Sequence, residues 1–183
     1  MKPAPHILIL YAHPIAHLSR VNRRMAEAAQ SLDNVQVHDL YETYPDFYID
    51  VLREQALLEQ ADMIVFQHPA LWYGTPALLK EWMDVVLAPG WAYGGGAQAL
   101  KGKHFWLAAT AGGSEDYDVG NEESDFSVFL PPFRQMARIC KMHWLPPLIL
   151  RGAYRADDAL VREHVEAYRQ RLASFPHWAD QAG

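Results

Sequence analysis

The chain has 183 residues, half of them hydrophobic, and 22 acidic against 16 basic residues give a formal net charge of -6. This length favours a single domain over residues 1–183, large enough for a sheet with helices on both faces. The negative charge argues against duplex nucleic acid or an anionic membrane as the main partner, since both favour basic surfaces. A single cysteine, Cys140, excludes an internal disulfide and favours a reducing cytoplasm.

The first predicted element is a buried strand followed by an anion-binding turn. HILILY, residues 6–11, is a continuous apolar run typical of a central parallel strand. A helical stripe from Arg20 to Ser31 follows, with Ser19 as its predicted N-cap. Exposed N–H groups at a helix start bind anions, so we predict a phosphate site here with His13, Ser19 and Asn22 as donors. The alternative is that Ser19 only caps the helix and His13 only closes the turn.

The stretch QHPALWYGTPALLKEW, residues 67–82, has the strongest ligand-binding pattern in the chain. It follows the apolar run 63–66 and leads into an amphipathic helix from Pro76 to Val86, so it predicts a strand end, a turn and a helix. Trp72 and Tyr73 in that turn would offer a planar ligand an aromatic wall. The alternative is that both are ordinary packed aromatic side chains.

The remaining segments continue the alternation of strands and helices. Predicted strands are Val35–Leu40, His104–Ala109 and Leu145–Leu150, and predicted helices are Val51–Gln60, Phe126–Lys141 and Asp157–Ala173. A glycine-rich turn, AGGSED, ends the fourth strand and offers backbone donors. The loop from Ala88 to Leu100, with four glycines, either folds over a ligand or a neighbouring subunit or is a plain connection.

This alternation predicts a doubly wound α/β protein with a flavodoxin-like, three-layer fold and a five-stranded parallel sheet in the order 2-1-3-4-5. In that order, ligand-binding loops gather at the ends of strands one, three and four, which are the three loops described above. The turn after strand one lacks both the glycine-rich dinucleotide fingerprint and the Walker lysine, so a Rossmann or P-loop site is not expected. No metal site is predicted.

Several motifs in order carry a family resemblance: YAHP, the Ser19/Asn22 pair, QHPALWYGTPALLKEWMD, GWAYG and AGGSE. Together they resemble the flavodoxin-like NAD(P)H:quinone oxidoreductases over nearly the whole chain. Within that family the chain is most similar to the short ancillary flavoproteins of glutathione-gated potassium-efflux systems, through LYxxYPDFxID, VFQHP and CxMHWLPP.

The resemblance implies a flavin, a homodimer with two sites at its interface, and two-electron reduction of quinones by NADH or NADPH. FMN is expected rather than FAD, because the chain lacks the extra C-terminal length of the large FAD-using relatives. The implied flavin contacts are His13, Ser19, Arg20, Val21 and Asn22 for the phosphate end, Ala70, Leu71, Trp72 and Tyr73 along the ring, and Thr110, Ala111, Gly112 and Gly113 at its polar edge.

Two aromatic residues have implied roles in the reaction. Tyr93 matches a lid residue that reaches the partner subunit's site. Tyr117 approximates the aromatic that helps to protonate the quinone in larger relatives, at a spacing one residue short. The histidine that accompanies it there is missing, since this chain carries Glu122 and Glu123.

We therefore predict an FMN-dependent NAD(P)H:quinone oxidoreductase acting in the cytoplasm. Apolar residues in the helix Pro76–Val86 and the loop Trp91–Gly96 predict the homodimer interface. One alternative is a regulatory subunit that binds a potassium-efflux antiporter and is held at the inner membrane by it. Another is a one-electron carrier, which fits less well because such carriers have no need of an aromatic-walled pocket open to nicotinamide.

Overall fold

The computed structural model describes residues 4–112 and 126–179. Its strands are β1 (Ile7–Tyr11), β2 (Val35–Asp39), β3 (Met63–Ala70), β4 (His104–Ala111), β5 (His143–Trp144) and β6 (Leu148–Leu150). They form one sheet in the order β2-β1-β3-β4-β5, with β6 also paired to β4. Every pairing is parallel. The predicted flavodoxin-like fold and strand order are confirmed.

Helices cover both faces of this sheet. The helices are α1 (Asn22–Gln30), α2 (Leu40–Thr43), α3 (Val51–Gln60), α4 (Ala77–Val86), α5 (Pro131–Ile139) and α6 (Asp158–Ala173), with 3-10 turns at Ala16–Leu18 and Phe126–Phe129. On one face, α1 and α6 pack against Ile7 and Ile9 of β1. On the other, α3, α4 and α5 pack against Leu8 and Leu10. Both faces of β1 are therefore buried, which explains its continuous apolar sequence.

The prediction of one fifth strand over Leu145–Leu150 is wrong in its bounds. Two short strands, β5 and β6, pair with successive parts of β4 instead. Pro146 and Pro147 lie between them and lack the backbone N–H that a continuous ladder needs. The fifth position of the sheet is thus filled by two pieces, and β6 still ends at the same edge as β4.

The third strand is longer than its apolar run. Gln67 to Ala70 continue β3 and pair with Ala108 to Ala111 of β4. The loop after β3 therefore begins at Leu71, and the Gln67 side chain lies in the core. A second difference is the short helix α2, which was not among the predicted elements. It forms because the carboxylate of Asp39 accepts hydrogen bonds from the N–H groups of Tyr41 and Glu42.

None of the helices in residues 4–112 and 126–179 is long and apolar enough to cross a membrane.

Candidate functional site

The three predicted ligand loops lie at one edge of the sheet. β1, β3 and β4 are parallel neighbours, and Ala70 at the end of β3 is the register partner of Ala111 at the end of β4. Asn22, at the start of α1, donates a hydrogen bond from Nδ2 to the Thr110 hydroxyl at 2.7 Å. The structure thus brings Asn22, Ala70, Thr110 and Ala111 together.

Ser19 supports the start of α1 from outside the helix. The N-cap is Val21, which makes no side-chain cap bond, so the prediction of Ser19 as N-cap and of a helix starting at Arg20 is wrong. Ser19 is extended and buried, and its Oγ accepts a hydrogen bond from the N–H of Arg23 at 3.3 Å. Ser19 lies two residues before the N-cap, yet its oxygen pairs with an N–H group of the first helical turn as a capping side chain would. Its hydroxyl hydrogen can still be donated to a ligand.

His13 is a neutral donor at this turn. Its Nδ1 accepts the N–H of Ile15 at 3.2 Å, which leaves the ring proton on Nε2. Burial lowers the pKa of His13 and so favours the neutral ring. Arg20 is exposed, and its guanidinium donates to the carbonyl of Ala156 in the loop after β6. The cationic group is therefore anchored beside the turn.

The side chain of Asn22 carries an unsatisfied buried atom. Asn22 is 2% exposed, and its Oδ1 has no hydrogen-bond partner among the described residues. An unpaired buried polar atom costs about 1–3 kcal/mol, so a ligand group is expected to meet it. If the Thr110 hydroxyl donates to Oδ1 instead, the amide rotates and Nδ2 becomes the free donor for an anion. The amide fits a phosphate ligand in that orientation.

The aromatic turn after β3 is a tight, strained hairpin. Leu71 and Gly74 exchange backbone hydrogen bonds at 3.0 and 3.1 Å. The two central residues, Trp72 and Tyr73, have φ values of 48° and 64°, the pattern of a type I′ turn. Neither is glycine, so each left-handed conformation costs about 1 kcal/mol or more. Such strain is found where a side chain has to be presented for function.

The strained turn presents Trp72 to solvent. Trp72 is 96% exposed, so the alternative that it is an ordinary packed aromatic is wrong. Tyr73 is partly covered, because its ring stacks on Phe129 at 5.1 Å. At this edge of the site the Trp72 ring is therefore exposed to solvent, whereas the Tyr73 ring is held by Phe129.

A fourth loop, residues 151–157 after β6, was missed by the sequence analysis. The N–H of Ala153 donates to the carbonyl of Ala111 at 2.9 Å. The ring of Tyr154 lies so close to Gly112 that a Cβ there would collide with it. β6 ends at the same edge as β4, so applying the strand-end rule to the last strand would have predicted this loop. Gly113 and Tyr117 lie outside the described residues, and their roles stay predictions.

The role of Gln67 was also missed, although the residue opens the QHPALWYG stretch, because the buried partners of one amide cannot be recognised from its sequence context. It is fully buried, and its backbone carbonyl accepts from the N–H of Ala12 at 3.0 Å. Its side-chain Nε2 donates to the Asn22 carbonyl at 2.7 Å, and its Oε1 accepts from the hydroxyl of Tyr168 at 3.0 Å. We call Asn22, Gln67, Thr110 and Tyr168 the Gln67 network.

The predicted dimer surface is less apolar than expected. Leu78, Leu79, Trp82 and Val86 of α4 are buried within the chain. Lys80 and Asp84 form an ion pair on the exposed side of the helix. Tyr93 is half-buried, and its carbonyl accepts from the N–H of Gly90 at 2.8 Å. The dimer and the lid role of Tyr93 both stay predictions.

Comparisons with known proteins agree with this architecture. The profile of the Flavodoxin_2 family, whose members have the flavodoxin-like fold, matches residues 5–172. The glutathione-regulated potassium-efflux system ancillary protein KefF of Salmonella schwarzengrund is 46% identical over 169 residues, which cover 92% of this chain and 96% of that protein.

Two solved structures are also similar. The general stress protein 14 of Treponema denticola, in complex with FMN, is 35% identical with a TM-score of 0.81, and the match covers 98% of this chain and 100% of that one. An NADPH-quinone reductase from P. pentosaceus is 30% identical with a TM-score of 0.82, covering 92% and 98%. This chain therefore belongs to the Flavodoxin_2 family, as the resemblance in its motifs predicts.

Proposed function

We propose that this protein is an FMN-dependent NAD(P)H:quinone oxidoreductase. The observation that carries the proposal is the buried amide of Asn22, bonded to Thr110 but with one atom unsatisfied, at the point where α1 begins. A helix start with free donors suits a phosphate, and a planar ring can extend from it along the ends of β3 and β4. Relatives with the same fold include an FMN complex and a quinone reductase.

Each part of the edge suits one part of the cofactor. The hydroxyl of Ser19, the amide of Asn22 and Nε2 of His13 would donate to the phosphate, helped by the positive end of the α1 dipole. Ala70 to Tyr73 would line the ring, while the backbone at Thr110 to Gly112 would meet its polar edge. When bound, FMN supplies the two-electron chemistry between NAD(P)H and a quinone.

The residues of this chain would then bind the cofactor, orient the substrate on it and cover the substrate. The strained turn presents the Trp72 ring beside the position of the flavin ring, which favours a flat substrate stacked on the cofactor. Tyr93 of a second copy would cover that substrate, and Tyr117 would move a proton to the quinone oxygen. The Tyr93 assignment depends on the homodimer, which we propose with it.

The test is an absorption spectrum of the purified protein followed by two additions in air-free buffer. A bound flavin gives a visible band, which NADPH should bleach and menadione should restore. Replacing NADPH with NADH reports the nucleotide preference. A protein that retains no flavin after reconstitution with excess FMN would overturn the proposal. Sedimentation of the loaded protein should give twice the chain mass of 20.8 kDa, and an active monomer would contradict the dimer.

A second candidate function is regulation of a potassium-efflux antiporter. It is favoured by the relative named as an ancillary protein of such a system, at 46% identity. We propose that the protein would then work in the cytoplasm and be held at the inner membrane by that partner. Potassium efflux measured with the wild-type protein and with a flavin-free Ser19→Ala/Asn22→Ala variant separates the two functions. Regulation that survives loss of the flavin would make the enzyme activity incidental.

A further inference from the structure

Gln67 holds both ends of the loop after β1. Its backbone carbonyl accepts from Ala12, the first residue after the strand, at 3.0 Å. Its side-chain Nε2 donates at 2.7 Å to the carbonyl of Asn22, where α1 begins. One fully buried residue of β3 thereby closes the eleven-residue segment 12–22, which contains His13 and Ser19. The shape of this segment depends on the orientation of one amide.

Tyr168 fixes that orientation from the last helix. Its hydroxyl donates to Oε1 of Gln67 at 3.0 Å, which turns Nε2 toward Asn22. The Tyr168 ring is fully buried and stacks on Trp106 at 5.3 Å, so the hydroxyl has a fixed position. Burial raises the pKa of Tyr168, and the phenol remains a donor across the physiological range. Without that hydroxyl, Oε1 of Gln67 would be a buried acceptor with no partner, and the amide would be free to rotate.

We infer that Tyr168 and Gln67 are positioning residues that set the geometry of the anion-binding loop, so that a side chain on α6 controls the affinity for the phosphate of the cofactor. The inference rests on the proposed function, since it takes FMN phosphate as the ligand of this loop. The effect passes through Asn22, whose carbonyl Gln67 holds and whose amide contacts Thr110. Neither Tyr168 nor Gln67 has to touch the cofactor.

The test compares FMN with riboflavin, which has the same ring but no phosphate. Tyr168→Phe removes one hydroxyl and keeps the stacked ring. We expect FMN to bind about tenfold more weakly, the value of one net hydrogen bond, and riboflavin affinity to change by less than about twofold. Flavin fluorescence titration measures both. Tyr44→Phe is the matched control, since it removes another buried tyrosine hydroxyl, bonded to Glu54 at 2.6 Å, and should leave both affinities unchanged.

Hydrogen exchange of the flavin-free protein gives a second readout. Tyr168→Phe should speed amide exchange in segment 12–22, while Tyr44→Phe should not. If Tyr168→Phe does not fold, Gln67→Met removes that bond and the bond to the Asn22 carbonyl, with a side chain of similar length. Equal losses for FMN and riboflavin, or unchanged FMN affinity, would overturn the inference while the proposed function stands. If the wild type binds no FMN, the proposed function fails, and an unchanged exchange rate in 12–22 would overturn the inference as well.

Discussion

This protein has two buried hydrogen-bond networks, one with every side-chain oxygen of its central carboxylate paired and one that ends in an unpaired atom. The difference separates a structural role from a functional one. The first, which we call the Glu54 network, joins His38, Tyr44 and Trp82 to the carboxylate of Glu54. Three donors reach its two oxygens, at 2.8, 2.6 and 2.8 Å. Both carboxylate oxygens are satisfied, and the network ties β2 and the segment before α3 to α3 and α4. None of its residues lies in a predicted ligand loop.

The Gln67 network is neutral and ends in an unsatisfied atom. It runs from Tyr168 through Gln67 to Asn22 and Thr110, and Oδ1 of Asn22 has no partner among the described residues. Buried polar groups are normally paired, so a satisfied network indicates a structural role, and an open end beside the ligand loops indicates a ligand. The comparison predicts that breaking the first network unfolds the protein, whereas breaking the second empties its site.

The largest expected effect is on stability, from Glu54→Ala. Burial raises the pKa of a carboxyl, but the bonds from His38 and Tyr44 outweigh it and hold the pKa of Glu54 below its ordinary value. The ionised group thus has strong partners, and removing it should cost about 3–5 kcal/mol of unfolding free energy. Urea unfolding measures the change.

FMN affinity of the folded fraction should stay the same in Glu54→Ala. Exposed Glu81→Ala on α4 is the control and should change neither stability nor affinity. A stable Glu54→Ala protein that has lost FMN would reverse the assignment of the two networks.

The next largest effect is on affinity, from Ser19→Ala combined with Asn22→Ala. Losing two hydrogen bonds to an anion should weaken FMN binding by about 3 kcal/mol, roughly a hundredfold. Riboflavin should lose much less, because it lacks the phosphate. Titration calorimetry with both flavins checks this, with exposed Ser127→Ala as the control. Stoichiometric FMN at unchanged affinity would remove these residues from the site.

The contrast between the networks also shows what the sequence could predict. Helix α3 has the predicted bounds, Val51–Gln60, because Asp50 caps it and its composition favours a helix. The ligand loops after β1, β3 and β4 could be located because strand ends and turn residues are local signals. The Gln67 network could not, since its partners lie 45 and 101 residues away and each amide is unremarkable alone.

Two further misses have local physical causes. β3 continues past Phe66 because Gln67 to Ala70 pair with β4, although hydrophobicity falls there. The fifth strand is broken by Pro146 and Pro147 into β5 and β6. The loop after β6, where Ala156 anchors Arg20, was missed because the strand-end rule was applied only to strands one, three and four.

A third prediction concerns acid stability and His68. Its Nδ1 bonds the Pro69 carbonyl, its Nε2 has no partner among the described residues, and burial lowers the pKa of the ring to about 4. His68 therefore takes up a proton below about pH 6.5 in the unfolded chain but only below about pH 4 in the folded protein. Stability contributed by the neutral ring is present above that window and is lost as the pH falls through it.

We expect this histidine alone to reduce the unfolding free energy by about 2 kcal/mol between pH 7 and pH 5. In His68→Phe, which keeps a ring beside Phe133, that part of the loss should vanish. Urea unfolding at both pH values measures it, with exposed His17→Gln as the control. Identical pH dependence in His68→Phe and the wild type would show that folding leaves the pKa of this ring unchanged.

The smallest expected effect tests whether the loop after β6 belongs to the same edge as the open network. A Cβ on Gly112 would collide with the ring of Tyr154, yet Tyr154 is 82% exposed and can swing aside. Gly112→Ala should therefore destabilise the protein by only about 0.5–1 kcal/mol. In a Tyr154→Ala background the collision is gone, and because Gly112 has no positive φ, the same change should become neutral or stabilising by up to about 1 kcal/mol. The effect of Gly112→Ala on stability is thus expected to change sign between the two backgrounds, which the unfolding free energies of the four proteins measure.

Gly74→Ala, whose Cβ would meet only ordinary contact distances, is the control and should show no coupling to Tyr154. Additive effects at Gly112 and Tyr154 would show that the Tyr154 ring does not lie against Gly112, and the hydrogen bond from Ala153 to Ala111 would then hold the loop after β6 to the end of β4.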